Sequence, residues 1–259
     1  MTLTSAYLLV SHGSRDPRPQ IALERLSYLV GQQLQLGTVQ PINKDKNVRC
    51  AVLSPRIPTM VETASLELSE VSLSQKIPKF AAFVQDAGIK NLKIVPLFLL
   101  PGVHVREDIP REIAIAQQEI GDSISLQLCP YLGSYQGLIK ILSRQFSIYP
   151  QDARIIISHG SRRQGGNASV EAIATQLQAT VAYWSIAPSL SAQVCALVKQ
   201  GKTQITIVPY FLFAGGITTI IAQQVQELQE SFPQTKLNLG QPLGATPQLA
   251  QLMVKEITQ

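Results

Sequence analysis

Leu8-Leu9-Val10-Ser11-His12-Gly13-Ser14-Arg15 reads as a short apolar strand running out into a polar loop, and the chain repeats it at Ile155-Ile156-Ile157-Ser158-His159-Gly160-Ser161-Arg162. A second phrase, Ile94-Val95-Pro96-Leu97-Phe98-Leu99, returns in the same order as Ile207-Val208-Pro209-Tyr210-Phe211-Leu212. Two phrases recurring in one order make the chain an internal duplication. The copies are unequal, because the first continues to His104 where the second has Ile217. A duplicated scaffold with a polar group retained in one half points to chemistry in that half.

Outward from these phrases, apolar runs of strand length alternate with segments of helical period. The first half predicts strands at 6–10, 60–66, 92–96 and 124–128, and helices at 22–35, 73–87, 108–120 and 135–146. The second predicts strands at 154–157, 181–184, 204–208 and 236–239, and helices at 169–179, 189–199, 218–230 and 247–257. Pro110 suits the first turn of its helix, and Gly88 the end of another. Alternating strands and helices imply a parallel sheet with right-handed crossovers. The expected fold is therefore α/β, with two similar lobes, each a parallel four-stranded sheet flanked by helices. Pro150 marks the boundary, dividing the chain into lobes 1–148 and 149–259. Fifty-five positions separate His12 from Glu67, but only 25 separate His159 from Trp184, its counterpart when Val71-Ser72-Leu73 is aligned with Pro188-Ser189-Leu190. The surplus, 36–59, is an insertion in the first lobe.

At 259 residues with 45% hydrophobic and 15% charged side chains, the chain can bury a core in each lobe. The apolar stretch from Ile94 to Val103 is interrupted by Pro96 and Pro101 and is too short to span a bilayer. The amino terminus lacks a basic segment followed by an apolar one, which predicts a cytoplasmic protein. Cys50, Cys129 and Cys195 form no CxxC pair and read as buried free thiols in a reducing compartment. The net charge of +5 comes from scattered Lys and Arg, with no basic helix or aromatic platform, so nucleic acid is not the expected partner. A polyanionic small molecule suits that balance better.

In open parallel sheets, ligands sit beyond the carboxyl ends of strands. His12 leaves the first strand at that end, with Gly13 allowing close backbone approach and Ser14 or Asp16 able to cap the next helix. His104 leaves the third strand at the same edge after Pro101, and adjacent strand ends lie about 5–10 Å apart. Glu67 closes the second strand, although a carboxylate there also suits the start of a helix. Two imidazoles and one carboxylate with open coordination suit Fe²⁺, Co²⁺, Ni²⁺ or Zn²⁺. The second half, with Trp184 and Ile217, keeps only His159, which reads as a remnant satisfying its strand-end hydrogen bonds.

The Ser11-His12-Gly13-Ser14-Arg15 loop, Leu66-Glu67-Leu68 and the run from Pro96 through His104-Val105-Arg106-Glu107-Asp108-Ile109-Pro110 together resemble the sirohydrochlorin cobalt-/ferrochelatase family, the class II chelatases, in their long duplicated form. Ser65 departs from the family, which commonly has a bulky aromatic there. No His-rich tail or CxxC iron–sulfur motif is present. The resemblance implies a chelatase-like fold and insertion of Fe²⁺ or Co²⁺ into sirohydrochlorin. The ion is then a substrate, and no permanent cofactor is implied. His12 becomes general base and metal ligand, His104 the second ligand, and Glu67 the group that balances charge or takes a proton. Arg15, Arg18, Arg106 and Arg162 become candidate partners for the eight carboxylates of sirohydrochlorin. Fusion of two lobes supplies within one chain the pairing that a single-lobe relative would obtain by dimerising, which is compatible with a monomer.

Two other classes fit the pattern less well. A histidine-phosphatase-like phosphohydrolase also places a His before a Gly after its first strand, but it needs an Arg before that His, and Ser11 stands there. A non-catalytic tetrapyrrole or metal carrier on the same scaffold would not need all of His12, Glu67 and His104. A nucleotide-binding module would need a GxGxxG or Walker phrase, which the chain lacks.

Overall fold

The computed structural model describes residues 5–37 and 60–259; the 36–59 insertion, beyond the last two residues of the first helix, and Cys50 lie outside the described residues. The first lobe alternates β1 (Ser5–Ser11), α1 (Pro17–Gly37), β2 (Val61–Ser65), α2 (Leu73–Asp86), β3 (Asn91–Pro96), α3 (Ile109–Ile120), β4 (Ser125–Leu128) and α4 (Leu138–Phe146). The second repeats it with β5 (Ala153–Ser158), α5 (Ala168–Gln176), β6 (Thr180–Tyr183), α6 (Leu190–Lys199), β7 (Gln204–Pro209), α7 (Gly216–Ser231), β8 (Lys236–Leu239) and α8 (Pro247–Ile257). Each set of four strands forms one sheet, in the orders β2-β1-β3-β4 and β6-β5-β7-β8. All strand pairs are parallel. The α/β class and the duplication expected from the sequence are what the chain adopts.

Both faces of each sheet are covered, which explains why the central strands read as continuous apolar runs rather than alternating ones. Along β1, Ala6, Leu8 and Val10 face an outer core with α2 and α3, while Tyr7 and Leu9 face inward. In β5 and β7, Ile155, Ile157, Ile205 and Ile207 face a second outer core with α6 and α7. Ile156 and Val208 turn inward. The inward faces meet a layer of α1, α4, α5 and α8, whose buried Leu26, Phe146, Val170 and Met253 belong to one cluster with both sheets. Composition predicts a core in each lobe; the structure adds a third that they share. Emptying one of its positions, as in Leu26→Ala, costs about 2–5 kcal/mol.

The last helix of each lobe leans on the other. α8 packs along α1, and the Ile257 carbonyl accepts from Lys93 Nζ at 2.6 Å. α4 packs against β7 and α8, and Gln145 Oε1 accepts from the Gln241 amide at 3.3 Å. The lobes are thus fixed relative to one another by buried surface as well as by the chain between them. Cys129 is a buried free thiol, its pKa pushed up by burial, and Cys195 is free and half-buried. Among the described residues no helix is long and apolar enough to cross a membrane.

Candidate metal-handling site

In the order β2-β1-β3-β4 the chain runs to opposite sides from β1, so a crevice opens beyond the carboxyl ends of β1 and β3. His12 follows β1 and His104 follows β3, and their rings meet edge-on with centroids 4.9 Å apart. Phe98 packs against both, at 6.4 Å from His12 and 5.9 Å from His104. Glu67 enters from β2. Its Oε2 lies 3.7 Å from His12 Nε2 and its Oε1 3.8 Å from His104 Nε2. One donor atom from each of the three groups lies within 4.8 Å of the other two. Bonds of about 2.1 Å to N and O would place donors up to about 4.2 Å apart. Both Glu67 contacts fall inside that span, and the trio is exposed enough to close on an ion by small side-chain rotations. The side chains of His12 and Glu67 are about half exposed (51% and 49%), which suits an ion that must arrive and leave.

Backbone hydrogen bonds hold Glu67 in place. Parallel pairing continues one step past the strands, with the Leu66 amide donating to Ser11 O and the Glu67 amide to His12 O, both at 2.9 Å. Gly13 follows with φ +97°, and a Cβ there would lie 2.1 Å from the Glu67 carbonyl oxygen. Only glycine fits that approach. Leu68 then takes φ 55°, a left-handed conformation costly for a branched side chain, as the chain turns toward α2.

The sequence places His104 in a strand-end loop. It opens instead a single π-helical turn, His104–Asp108, that runs directly into α3. The turn brings Asp108 back under His104, where its Oδ2 lies 2.8 Å from His104 Nδ1. An ionised carboxylate only accepts, so Nδ1 carries a proton, and Nε2, which faces Glu67 and the crevice, is the ring atom available to a metal. Arg111 Nη2 donates to the other oxygen at 2.9 Å. The hydrogen bond from His104, aided by the Arg111 charge, holds the Asp108 carboxyl below the usual carboxylate range. Sequence reading did not assign Asp108 a role; its spacing of four from a candidate His on a helix is the signal that could have done so.

The backbone pairing corrects one alignment. In the second lobe the Trp184 amide donates to Ser158 O and the Ser185 amide to His159 O. The structural counterpart of Glu67 is therefore Ser185, and Trp184 matches Leu66. Counting back from the helix caps Ser72 and Ser189 misplaced it because the first lobe has one more residue in the turn, the stretch where Leu68 takes its positive φ. The match of His104 with Ile217 holds: Leu97 and Tyr210 donate equivalently to Val10 O and Ile157 O, and Arg106 and Thr219 to Gly102 O and Gly215 O. Among the described residues no carboxylate pairs with His159; its Nδ1 lies 3.0 Å from Gly160 O.

The second lobe forms the opposite wall. A cleft of about 270 Å³ runs from His12, Gly13 and Ser14 to Phe211, Phe213 and Ile217. Arg18 bridges it by donating to Thr219 Oγ1 at 3.0 Å. Arg163 links the lobes by pairing with Glu107 at 2.8 Å. Of the four arginines expected to meet carboxylates, Arg18 is already bound to Asp16, which caps α1 through the Arg18 amide and whose own pKa is lowered to about 2 by that side-chain pair. Arg15, Arg106 and Arg162 lie exposed, on the loop after β1, the π turn and the loop after β5.

A duplicated, doubly covered parallel α/β scaffold with an open two-histidine, one-carboxylate crevice in one lobe defines a metal-handling enzyme class. The chain belongs to the CbiX family, whose family model matches residues 6–148 and 153–259. It is similar to a sirohydrochlorin cobaltochelatase of Priestia megaterium, 22% identical over 96% of this chain and 77% of that protein. It is also similar to a sirohydrochlorin ferrochelatase of Bacillus subtilis (strain 168), 25% identical over 91% of this chain and 85% of that one. Among solved structures, SirB from Bacillus subtilis with Fe³⁺ superposes with a TM-score of 0.72 at 22% identity, covering 99% of this chain and 95% of that one, a likeness of fold.

Proposed function

We propose that the protein inserts a divalent metal ion, Fe²⁺ or Co²⁺, into sirohydrochlorin, the reaction class named for its relatives in the CbiX family. The observation that carries this reading is the convergence of His12, Glu67 and His104 at one crevice mouth. The donor set of borderline nitrogens and a hard oxygen suits both ions. Insertion exchanges charge for charge: the M²⁺ ion enters the macrocycle plane as two pyrrole N–H protons leave.

In this reading His104, its tautomer fixed by Asp108, holds the ion through Nε2. Neutral His12 is positioned to take a proton from the macrocycle, since imidazole accepts protons near neutral pH. Glu67 lies between the two imidazoles, where its charge offsets the cation before transfer and can receive a proton after it. Half-exposed donors favour release over retention, as a substrate ion requires. Phe211, Phe213 and Ile217 would give the flat macrocycle an apolar wall. No resident cofactor is needed. We further read the protein as a monomer in the reducing cytoplasm, a reading supported by the shared core and the free thiols.

The test is anaerobic incubation of the purified protein with sirohydrochlorin and Fe²⁺ or Co²⁺, following the absorbance change of metal insertion against the spontaneous rate. Acceleration by either ion is expected. No acceleration with either, together with metal-independent hydrolysis of phosphate esters, would replace this reading with a phosphohydrolase; binding of sirohydrochlorin without insertion would leave a carrier.

A further inference from the structure

A second cavity lies beside the metal-handling crevice. It encloses about 330 Å³ at the end of β2 and shares Ser14 and Gln20 with the cleft between the lobes, so the two spaces adjoin at the loop after His12. Its walls carry the hydroxyl-bearing residues Ser14, Thr63, Ser65 and Ser69, and among the described residues the one charged group on them is Lys76, near the start of α2. Ser14 Oγ accepts from the Asp16 amide and Ser69 Oγ from the Val71 amide, which leaves each hydroxyl hydrogen for another acceptor. Lys76 Nζ stands 3.8 Å from Glu62 Oε1, an ion pair beyond hydrogen-bond distance, so its N–H donors are not used up by that contact.

The second lobe is an internal control for this feature. By backbone pairing Ser65 matches Tyr183, and Thr63 matches Val181. Counting from the equivalent helix caps, Lys76 matches Gln193. Tyr183 is buried, with its side chain within 3.2 Å of a Cβ placed on Gly160, and its hydroxyl donates to Glu171 at 2.9 Å. Gln193 donates to the Val181 carbonyl at 2.7 Å. One lobe thus fills the position with a ring and a satisfied amide. The other puts small hydroxyl groups and an ammonium there.

Resting on the reading that the substrate is a polycarboxylate tetrapyrrole, we propose that this cavity is an anion subsite for one peripheral carboxylate of the macrocycle. Lys76 supplies the charge, and the hydroxyls of Ser14, Thr63, Ser65 and Ser69 supply hydrogen bonds. A macrocycle lying over His12 would pass its rim across Ser14 and drop an acid side chain into the cavity. Glu62 competes for Lys76 until the substrate carboxylate displaces it.

The experiment measures KM for sirohydrochlorin at saturating Co²⁺, KM for Co²⁺ at saturating sirohydrochlorin, and metal-free sirohydrochlorin affinity by absorbance titration. Lys76→Met is expected to raise the tetrapyrrole KM and dissociation constant roughly tenfold, the effect of one charged hydrogen bond, with kcat and the Co²⁺ KM unchanged. Lys76→Arg, which keeps the charge, restores most of the affinity. Ser65→Tyr, which copies the second lobe, weakens binding in the same way, whereas Glu62→Gln tightens it. Thermal melts establish that each variant is folded. If the wild-type protein inserts metal and both Lys76→Met and Ser65→Tyr bind sirohydrochlorin as it does, the subsite is wrong. It is equally wrong if Lys76→Met raises the Co²⁺ KM as much as the tetrapyrrole KM. A wild-type protein that neither binds nor metallates sirohydrochlorin overturns the functional reading and the subsite together.

Discussion

The two lobes share strand order, register and the Ser-His-Gly-Ser-Arg loop, yet four aligned positions separate one crevice from the other. Glu67 faces Ser185, His104 faces Ile217, Asp108 faces Ile221, and Ser65 faces Tyr183. Ile217 lines the cleft, Ile221 is fully buried beneath it, and Tyr183 is buried with its hydroxyl on Glu171. Three of these changes trade a polar group for packing, while Ser185 keeps a hydroxyl and spends it on the His159 carbonyl. The comparison teaches that the scaffold itself is indifferent to chemistry. Its first copy accepts a costly set of half-exposed donors, and its second spends the same positions on an apolar wall and a fuller core.

The sharpest break of that comparison removes the histidines one at a time. His12→Ala or His104→Ala is expected to lower metal insertion at least about a hundredfold, the range for losing a positioned acid–base or ligand group. His159→Ala, with no carboxylate paired to its imidazole among the described residues, is expected to leave the rate within about twofold. Single-turnover absorbance traces for the three variants check this. A His159→Ala protein as slow as His12→Ala would mean that both lobes take part.

Gly13 and Gly160 hold equivalent left-handed positions, φ +97° and +82°, but face different neighbours. Alanine at either meets the left-handed penalty of about 1–2 kcal/mol. At Gly160 its methyl approaches side chains, Ile186 Cγ1 at 2.8 Å and Tyr183 Cβ at 3.0 Å. At Gly13 it meets the Glu67 carbonyl at 2.1 Å, and backbone must move. Both variants should melt earlier, but only Gly13→Ala should also lose more than about tenfold in insertion rate, because the displaced backbone carries Glu67. Parallel melting curves and rate assays separate the two effects.

Asp108→Asn tests the hydrogen bond that has no counterpart in the second lobe. An amide can donate to Nδ1 and turn the imidazole to the wrong tautomer. Loss of such a partner typically weakens metal binding by about 10–100-fold. The expected signature is a Co²⁺ KM raised about tenfold, with the sirohydrochlorin KM little changed.

Much of this was legible in the residues. Strand ends were readable because every central strand runs from an apolar stretch directly into Gly, Pro or Ser, and the duplicated phrases fixed β1, β3, β5 and β7 twice over. His12 and His104 follow from that alone, each the first imidazole after a parallel strand. Three things were not legible. The partner of Glu67 depends on strand pairing, and one extra residue in the turn at Leu68 defeats counting from the caps. Asp108 becomes a partner of His104 only through a π turn, which the expected helix start at 108 does not contain. The central helical layer requires knowing that α4 and α8 lean on the opposite lobe, and a hydrophobic stripe does not say which sheet it will meet.

The smallest expected effect lies at Asp16 and Arg163, which occupy equivalent places three residues after Gly13 and Gly160. Asp16 caps α1 and holds Arg18, while Arg163 reaches across to Glu107. The folded Asp16 carboxyl titrates at about 2, against an ordinary value of 3.8. Its pKa is depressed in the native state, so its contribution is complete above the ordinary value and is lost as pH falls toward 2. An arginine at the matching position carries no such acid dependence. Asp16→Asn keeps a side-chain acceptor for the cap but cannot ionise. Between pH 5 and pH 2.5 the wild-type melting temperature should therefore fall slightly more than that of Asp16→Asn, while Arg163→Ala should follow the wild-type slope. Equal slopes for all three would mean that the exposed Asp16–Arg18 pair contributes nothing measurable, as is common for surface ion pairs.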